Sequence, residues 1–108
     1  MPKKLRKPET TPSLVQERLV VWGRAIRAQR VAQKILASDL CARIGISDAT
    51  LRRLERGDPG ASAAIYLTAM MIVGLLDFAV PALDPQFWSS HPQARARILP
   101  GTPDDDNF

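Results

Sequence analysis

The sequence contains only one cysteine, Cys41, and one histidine, His91. A single cysteine permits no disulfide within the chain and no cluster of thiolate metal ligands, so a cytoplasmic protein is expected. Cys41 is interpreted as a small core residue, and neither a metal nor another cofactor is expected. The sequence shows no carboxylate pair, activated nucleophile or phosphate-binding glycine loop, so we do not expect an enzyme.

Long hydrophobic runs are absent as well. The longest, near residues 69–76, is too short to cross a bilayer, and the basic N-terminus lacks the apolar segment of a secretory signal. The 108 residues are enough for one compact domain with tails, but hardly for two separate cores. We therefore expect a soluble protein with one domain and no membrane partner.

Positive charge is unevenly distributed along the chain. Four basic residues oppose one acidic residue in residues 1–13, nine oppose five in residues 14–60, and two oppose five in residues 61–108. The basic half suits a nucleic-acid ligand, an anionic membrane or simple solubility. Residues 1–12 are rich in proline and predict a flexible arm, which either follows a DNA minor groove or only aids solubility. The basic residues of this arm are Lys3, Lys4, Arg6 and Lys7.

Residues 13–83 show the periodicity of an all-α domain with four to five helices. A first helix is predicted from Ser13 to about Gln33, and Ser13 and Gln16 have the pattern of a capping box at its start. The apolar stripe of this helix consists of Leu19, Trp22, Ile26 and Val31, preceded by Val15. Residues 84–108 contain prolines and end in acidic residues, so an irregular, acidic C-terminal tail is expected there.

Glycine and serine residues predict the remaining helix ends. Residues 35–45 have a short helical pattern that ends at Gly45, and Ser47 is the predicted N-cap of a third helix. Ser62 is the predicted cap of a fourth helix, which ends at Gly74. Because the fourth helix is apolar almost all round, we expect it at the centre of the core or under the second subunit of a homodimer. A short fifth helix is expected to follow.

The second and third predicted helices, with the turn between them, have the pattern of a helix-turn-helix, whose second helix enters the major groove of DNA. Arg53 is the first candidate to bind a guanine, to which it would donate two parallel hydrogen bonds. The base-reading candidates are Asp48, Ala49, Arg52 and Arg53. The phosphate-binding candidates are Lys34, Ser38, Ser47 and Thr50, together with Lys3, Lys4, Arg6 and Lys7 of the arm.

Four further residues are assigned packing or partner roles. Arg30 and Glu55 carry opposite charges near the ends of the first and third predicted helices, so a partly buried, structural ion pair is expected. Phe87 and Trp88 lie in the polar tail, where they either anchor a partner protein or fold back onto the domain.

Over residues 20–75 the sequence resembles the Xre and lambda-repressor-like helix-turn-helix proteins. The motifs that carry this resemblance are residues 22–27 with Arg30, residues 40–47 and residues 50–57. The resemblance implies a compact five-helix domain that docks on double-stranded operator DNA as a two-fold dimer. Family members commonly begin their second helix with Thr and Gln, where this sequence has Leu36 and Ala37. In family members that glutamine contacts a DNA phosphate. Because this sequence lacks the glutamine, the resemblance does not imply the same contact here.

Residues 54–60, followed by an apolar helix and by Gly74 and Leu75, resemble HipB-type antitoxins. This narrower resemblance implies repression of a toxin-antitoxin operon and binding to a HipA-type Ser/Thr kinase toxin, or to HipS- and HipT-like partners in a HipBST system. Two alternatives stay open: a protein-binding adaptor with weak DNA readout, and a phage or chromosomal repressor without a toxin partner. The dependence of affinity on salt concentration distinguishes the adaptor from the DNA binder, because affinity based on phosphate contacts falls steeply as salt rises.

Overall fold

A computed structural model describes residues 10–90 of the chain. Within that range the chain forms five α-helices and no strand, which confirms the all-α prediction. The elements are α1 (Ser13–Ala32), α2 (Ala37–Ile44), α3 (Asp48–Glu55), α4 (Ala63–Ile72) and α5 (Leu76–Ala79), followed by a 3₁₀ turn at Pro85–Phe87. None of the helices in residues 10–90 combines the length and the apolar character needed to cross a membrane.

The start of α1 differs from the predicted capping box. Pro12 is the N-cap residue, Ser13 is already helical, and no side chain caps the first turn. Pro12 has an extended ψ of 142°, so the helix begins directly after it. Gln16 uses its side chain for a tertiary contact instead, since its Nε2 donates to the Gly57 carbonyl oxygen at 3.0 Å. The capping-box prediction was wrong because it considered only local partners for Gln16.

A tight reversal separates α1 from α2. Lys34 has a positive φ of 59°, and the Ile35 N–H donates to the Arg30 carbonyl oxygen at 3.0 Å. Leu36 is still extended, with φ −67° and ψ 146°, so α2 begins at Ala37 and not at the start of the predicted helical pattern.

A three-residue turn joins α2 to α3, with the glycine and the serine in their predicted roles. Gly45 is left-handed, with φ 85°, and its N–H donates to the Cys41 carbonyl oxygen at 2.7 Å. Ser47 Oγ accepts from the Thr50 N–H at 3.1 Å. Ser62 caps α4 in the same way. These helix ends were predictable because residues next to them satisfy their backbone groups.

The core lies between the first four helices, with α4 at its centre. α4 buries Tyr66, Ala69 and Met70, and Met71 is its one exposed large apolar residue. The buried apolar residues of the other helices are Ile26, Leu40, Cys41, Leu51 and Leu54. The core thus accounts for Tyr66, Ala69 and Met70, whereas Ile65, Leu67 and Ile72 are only partly buried.

Two members of the predicted apolar stripe of α1 lie outside the core. Val15 is 45% exposed and Val31 is 54% exposed. Val31 follows Ile26 by five residues, a rotation of about 140° around the helix, which turns it away from the core. Trp22 is half-buried, with its ring centroid 5.9 Å from that of Tyr66.

Two glycines allow α3 to approach α1 closely. A Cβ on Gly23 would lie 2.6 Å from the Leu54 carbonyl oxygen. A Cβ on Gly57, which has φ 80°, would lie 2.5 Å from the Cα of Val20. Real Cβ atoms essentially never come within 3.0 Å of such neighbours. The C-terminal end of α3 is thus fixed against the backbone of α1.

The start of the predicted irregular tail is locally ordered. Asp84 accepts from the Gln86 N–H at 3.0 Å and caps the 3₁₀ turn. Trp88 Nε1 donates to the Leu83 carbonyl oxygen at 3.1 Å. The rest of the tail, residues 91–108, lies outside the described residues, as do Lys3, Lys4, Arg6 and Lys7 of the predicted arm.

Candidate nucleic-acid interface

α3 has one buried and one exposed side. Leu51 and Leu54 are 2% and 0% exposed and hold the helix against the core. The predicted base-reading residues Asp48, Ala49, Arg52 and Arg53 are all exposed. This division follows from helical spacing, because the leucines lie three residues apart and the polar residues occupy the positions around them. The core therefore presents a polar helix face to solvent.

The exposed side of α3 carries a row of hydrogen-bonded side chains. Ser47 Oγ, besides capping the helix, donates to Thr50 Oγ1 at 3.1 Å. Arg53 Nη2 donates to the same hydroxyl oxygen at 3.4 Å, and Arg53 Nε lies 3.8 Å from Asp58 Oδ2. The Arg53 side chain remains 49% exposed. Arg53 is thus oriented by contacts at both ends of α3.

Asp58 is fixed in turn by the loop after α3 and by the core. Its Oδ1 accepts from the Gly60 N–H at 2.7 Å, and its carbonyl oxygen accepts from the Tyr66 hydroxyl at 2.8 Å. Burial, reinforced by the negative charge of Asp58, raises the pKa of Tyr66. The neutral, protonated Tyr66 is therefore the state that donates this bond, and it links the Arg53 contact to the core.

Arg52 differs from its neighbour. It is exposed, and within residues 10–90 it has no hydrogen-bond or ion-pair partner. Its guanidinium therefore needs to break no contact within these residues before it binds a base. The sequence analysis named both arginines and placed Arg53 first, whereas the exposure of the two side chains does not favour one over the other.

Asp48 contacts α2 at the start of the candidate surface. The Cys41 thiol donates to Asp48 Oδ1 at 3.6 Å. Burial and this hydrogen bond both raise the pKa of Cys41, so the thiol stays protonated at neutral pH. The Asp48 carboxylate also stands in the first turn of α3, where a negative charge is favoured by the helix dipole. Cys41 thus has the packing role that was expected.

The predicted pair of Arg30 and Glu55 forms in the structure. Arg30 Nε donates to Glu55 Oε2 at 2.8 Å, and these side chains are 11% and 7% exposed. Arg30 Nη1 also donates to the Ile35 carbonyl oxygen at 3.2 Å. Arg27, which was not predicted to take part, reaches Glu55 Oε1 at 3.7 Å. The cluster therefore ties the end of α3 to α1 and to the reversal before α2.

The predicted phosphate-binding residues occupy two places. Ser47 and Thr50 lie at the start of α3, and Lys34 and Ser38 lie beside the start of α2. No side chain caps α2, and Leu36, its N-cap residue, is 66% exposed. Exposed N–H groups at a helix start are suited to a phosphate oxygen. Arg43 in α2 and Arg56 after α3 are also exposed, and the sequence analysis did not single them out.

Phe87 and Trp88 lie apart from α3 in sequence and are 67% and 55% exposed. Phe78 and Leu83, which sequence reasoning did not identify, are 85% and 66% exposed.

No group of His, Cys, Asp and Glu residues that could hold a metal occurs in the described part of the chain. Comparison of the chain with protein-family models, with curated proteins and with solved structures found no match.

Proposed function

We propose that this protein is a sequence-specific DNA-binding transcriptional repressor. In this proposal α2, the turn and α3 form a helix-turn-helix within a lambda-repressor-like domain, and α3 enters the major groove. The supporting observation is an exposed polar helix face with Arg52 and Arg53, backed by buried Leu51 and Leu54. Arginine recognises guanine through O6 and N7, and each such contact contributes about 1–3 kcal/mol of discrimination.

Each residue of the surface has a defined task in this proposal. Arg52 reads a base directly, and Arg53 reads a second base in an orientation set by Thr50 and Asp58. Ala49 has a methyl group suited to a thymine methyl. Asp48 accepts from a cytosine amino group and otherwise repels phosphate.

The phosphate contacts come from the sides of the helix pair. Lys34, Ser38, Ser47 and Thr50 bind backbone oxygens, which fix the register on the duplex and carry no sequence information themselves. The basic residues Lys3, Lys4, Arg6 and Lys7 add affinity that depends on salt. We propose that the operator is bound by two copies, since a two-fold dimer matches a palindromic site.

We further propose that the protein is the HipB-like component of a bacterial toxin-antitoxin operon, which it represses. Its partner in the cytoplasm is then a HipA-type Ser/Thr kinase toxin or a HipBST counterpart. The support for this step is the resemblance of residues 54–60 and of the apolar helix that follows them. Copurification with the protein encoded next to it tests this step separately from DNA binding.

DNA binding is tested by fluorescence anisotropy of the labelled upstream promoter region against a scrambled duplex at two salt concentrations. We expect tight binding to the promoter duplex, a steep loss of affinity at higher salt, and a fall of about tenfold or more for Arg52→Ala and for Arg53→Ala. Arg18→Ala on α1, exposed and away from α3, is the matched control. Equal, weak binding to both duplexes would contradict the proposal.

A protein-binding adaptor is the second candidate function. The observation that favours it is the exposure of Phe78, Leu83, Phe87 and Trp88 after the core helices. Such aromatic side chains are frequent anchors of protein interfaces. An adaptor would bind its partner with little dependence on salt and would lose affinity in Trp88→Ala, whereas Arg52→Ala would leave that affinity unchanged.

A further inference from the structure

The outward side of α1 carries a row of exposed apolar side chains. The opposite side of this helix buries Ile26 in the core. Leu14 and Val21 are each 59% exposed and Val31 is 54% exposed. At about 100° per residue these three residues fall on one side of the helix, with the exposed Ala28 between them. We call Leu14, Val21, Ala28 and Val31 the outward face of α1.

Two charged residues accompany this face. Glu17 and Arg24 are exposed and follow the same side of α1 as Val21. Among residues 10–90 neither has an ion-pair or hydrogen-bond partner. They lie two turns apart, about 10 Å along the helix, and are too distant to pair within one chain. Each is therefore available to an opposite charge on another molecule.

We propose that α1 pairs in antiparallel orientation with α1 of a second copy of this chain, through the outward face. Leu14 and Val31 are about 26 Å apart along the helix axis. In an antiparallel pair centred between them, Leu14 of each copy lies opposite Val31 of the second copy, and Val21 lies near the centre. Two-fold symmetry forms each of these contacts twice.

The charges select this orientation. In the antiparallel register Glu17 lies about 6 Å, one helical turn, along the axis from Arg24 of the second copy, which is within reach of two long side chains. A parallel pair in register would place Glu17 beside Glu17 and Arg24 beside Arg24. The antiparallel register also brings the two Arg24 residues within about 5 Å of each other along the axis, so it has one like-charge contact and two Glu17–Arg24 pairs. The charges therefore favour the antiparallel pair over the parallel pair, in which both contacts join like charges.

A groove beside the outward face supports the same register. It has a volume of about 470 Å³ and is lined by Thr11, Ser13, Gln16, Glu17, Val20 and Val21. In the antiparallel pair the residues opposite this groove are Arg24, Ala28 and Val31 of the second copy. Val31 thus has a recess next to Leu14, and Arg24 lies over the end of the groove that holds Glu17. This inference does not depend on DNA binding.

The pairing is tested by the mass of the full-length protein in sedimentation velocity over a concentration series without DNA. We expect the mass to rise from one chain to two, and Val21→Arg, which faces Arg24 of the second copy, to raise the dissociation constant by about tenfold or more. Val15→Arg is the matched control, since Val15 is exposed on another side of α1. Circular dichroism of each variant checks that the helices are retained.

Charge reversal gives the second arm of this test. Glu17→Arg and Arg24→Glu should each weaken the dimer by about three- to tenfold, and the double variant should restore it, because the opposite charges face each other again. A single-chain mass at every concentration would overturn the proposal. So would a dimer that survives Val21→Arg and dissociates in Phe87→Ala, which would place the interface after α5.

Discussion

Two surfaces of this protein are exposed in different ways. The polar face of α3 rests on buried Leu51 and Leu54, on a close approach to α1 and on the Arg30–Glu55 pair. Residues 81–90 expose Leu83, Phe87 and Trp88, and the side-chain hydrogen bonds of Asp84 and Trp88 join neighbours in sequence. A surface that is built on the core is lost only when the whole domain unfolds. A segment that is held by local contacts can unfold while the rest of the domain stays folded. Substitutions in the two regions should therefore differ sharply in effect.

The largest effect is expected for Gly57→Ala, which should lower the free energy of unfolding by about 3–4 kcal/mol. The new methyl group meets the backbone of Val20 at 2.5 Å, and φ of 80° is unfavourable for alanine. Gly74→Ala is the control, because Gly74 has a similar φ of 85° but open space around its Cβ. It should lose only about 1–2 kcal/mol. If urea unfolding showed the same loss of free energy for both variants, the close contact of Gly57 with the backbone of α1 would not be the cause.

Glu55→Ala should destabilise the protein nearly as much, by about 3 kcal/mol, because it leaves the buried Arg30 without its counter-charge. Arg27→Ala removes the outer member of the same cluster. Arg27 is 63% exposed, and its removal should cost less than about 1 kcal/mol. Urea unfolding of both variants checks the difference. If Arg27→Ala were as damaging as Glu55→Ala, the cluster would not be centred on Arg30.

Tyr66→Phe should have a smaller effect of about 1 kcal/mol at neutral pH, since it removes the hydrogen bond to the Asp58 carbonyl oxygen. Burial, followed by the charge of Asp58, raises the pKa of Tyr66 above its ordinary value of 10.0. A raised pKa gives stability that is complete below the unfolded value and falls as pH rises past it. The free energy of unfolding should thus stay level up to about pH 9 and fall as pH rises through about 10 and beyond. That fall should be smaller in Tyr66→Phe, and identical falls would contradict this assignment.

The smallest effects are expected after α5. Phe87→Ala and Trp88→Ala should change the free energy of unfolding by less than about 0.5 kcal/mol, because both side chains are largely exposed. Promoter affinity should stay unchanged as well. Thermal and urea unfolding, with anisotropy on the same samples, measure both quantities. A loss above about 1 kcal/mol would show that this segment supports the core.

Local signals explain how much of the fold was predictable from the sequence. Gly45, Ser47 and Ser62 mark helix ends because their conformation or side chain satisfies nearby backbone groups. The Arg30–Glu55 pair was predictable from opposite charges at the ends of two neighbouring helices. The polar face of α3 was predictable from the spacing of its leucines.

Tertiary contacts account for what the sequence analysis did not find. Gln16 was predicted to cap α1, but it donates to the loop after α3. Gly23 has no turn or positive φ to distinguish it, and only the packing of α3 on α1 shows why a side chain does not fit there. Likewise, the contact of Arg53 with Asp58 depends on how the loop after α3 folds. Such partners are set by the assembled core and cannot be inferred from periodicity.

We propose that α3, and not the segment after α5, contacts DNA. Titration of ¹⁵N-labelled protein with the upstream promoter duplex, followed by amide chemical shifts, locates the contact residue by residue. We expect the largest shifts between residues 43 and 53 and near Lys34, with residues 81–90 unchanged. Shifts confined to residues 81–90, or none at low salt, would contradict this proposal.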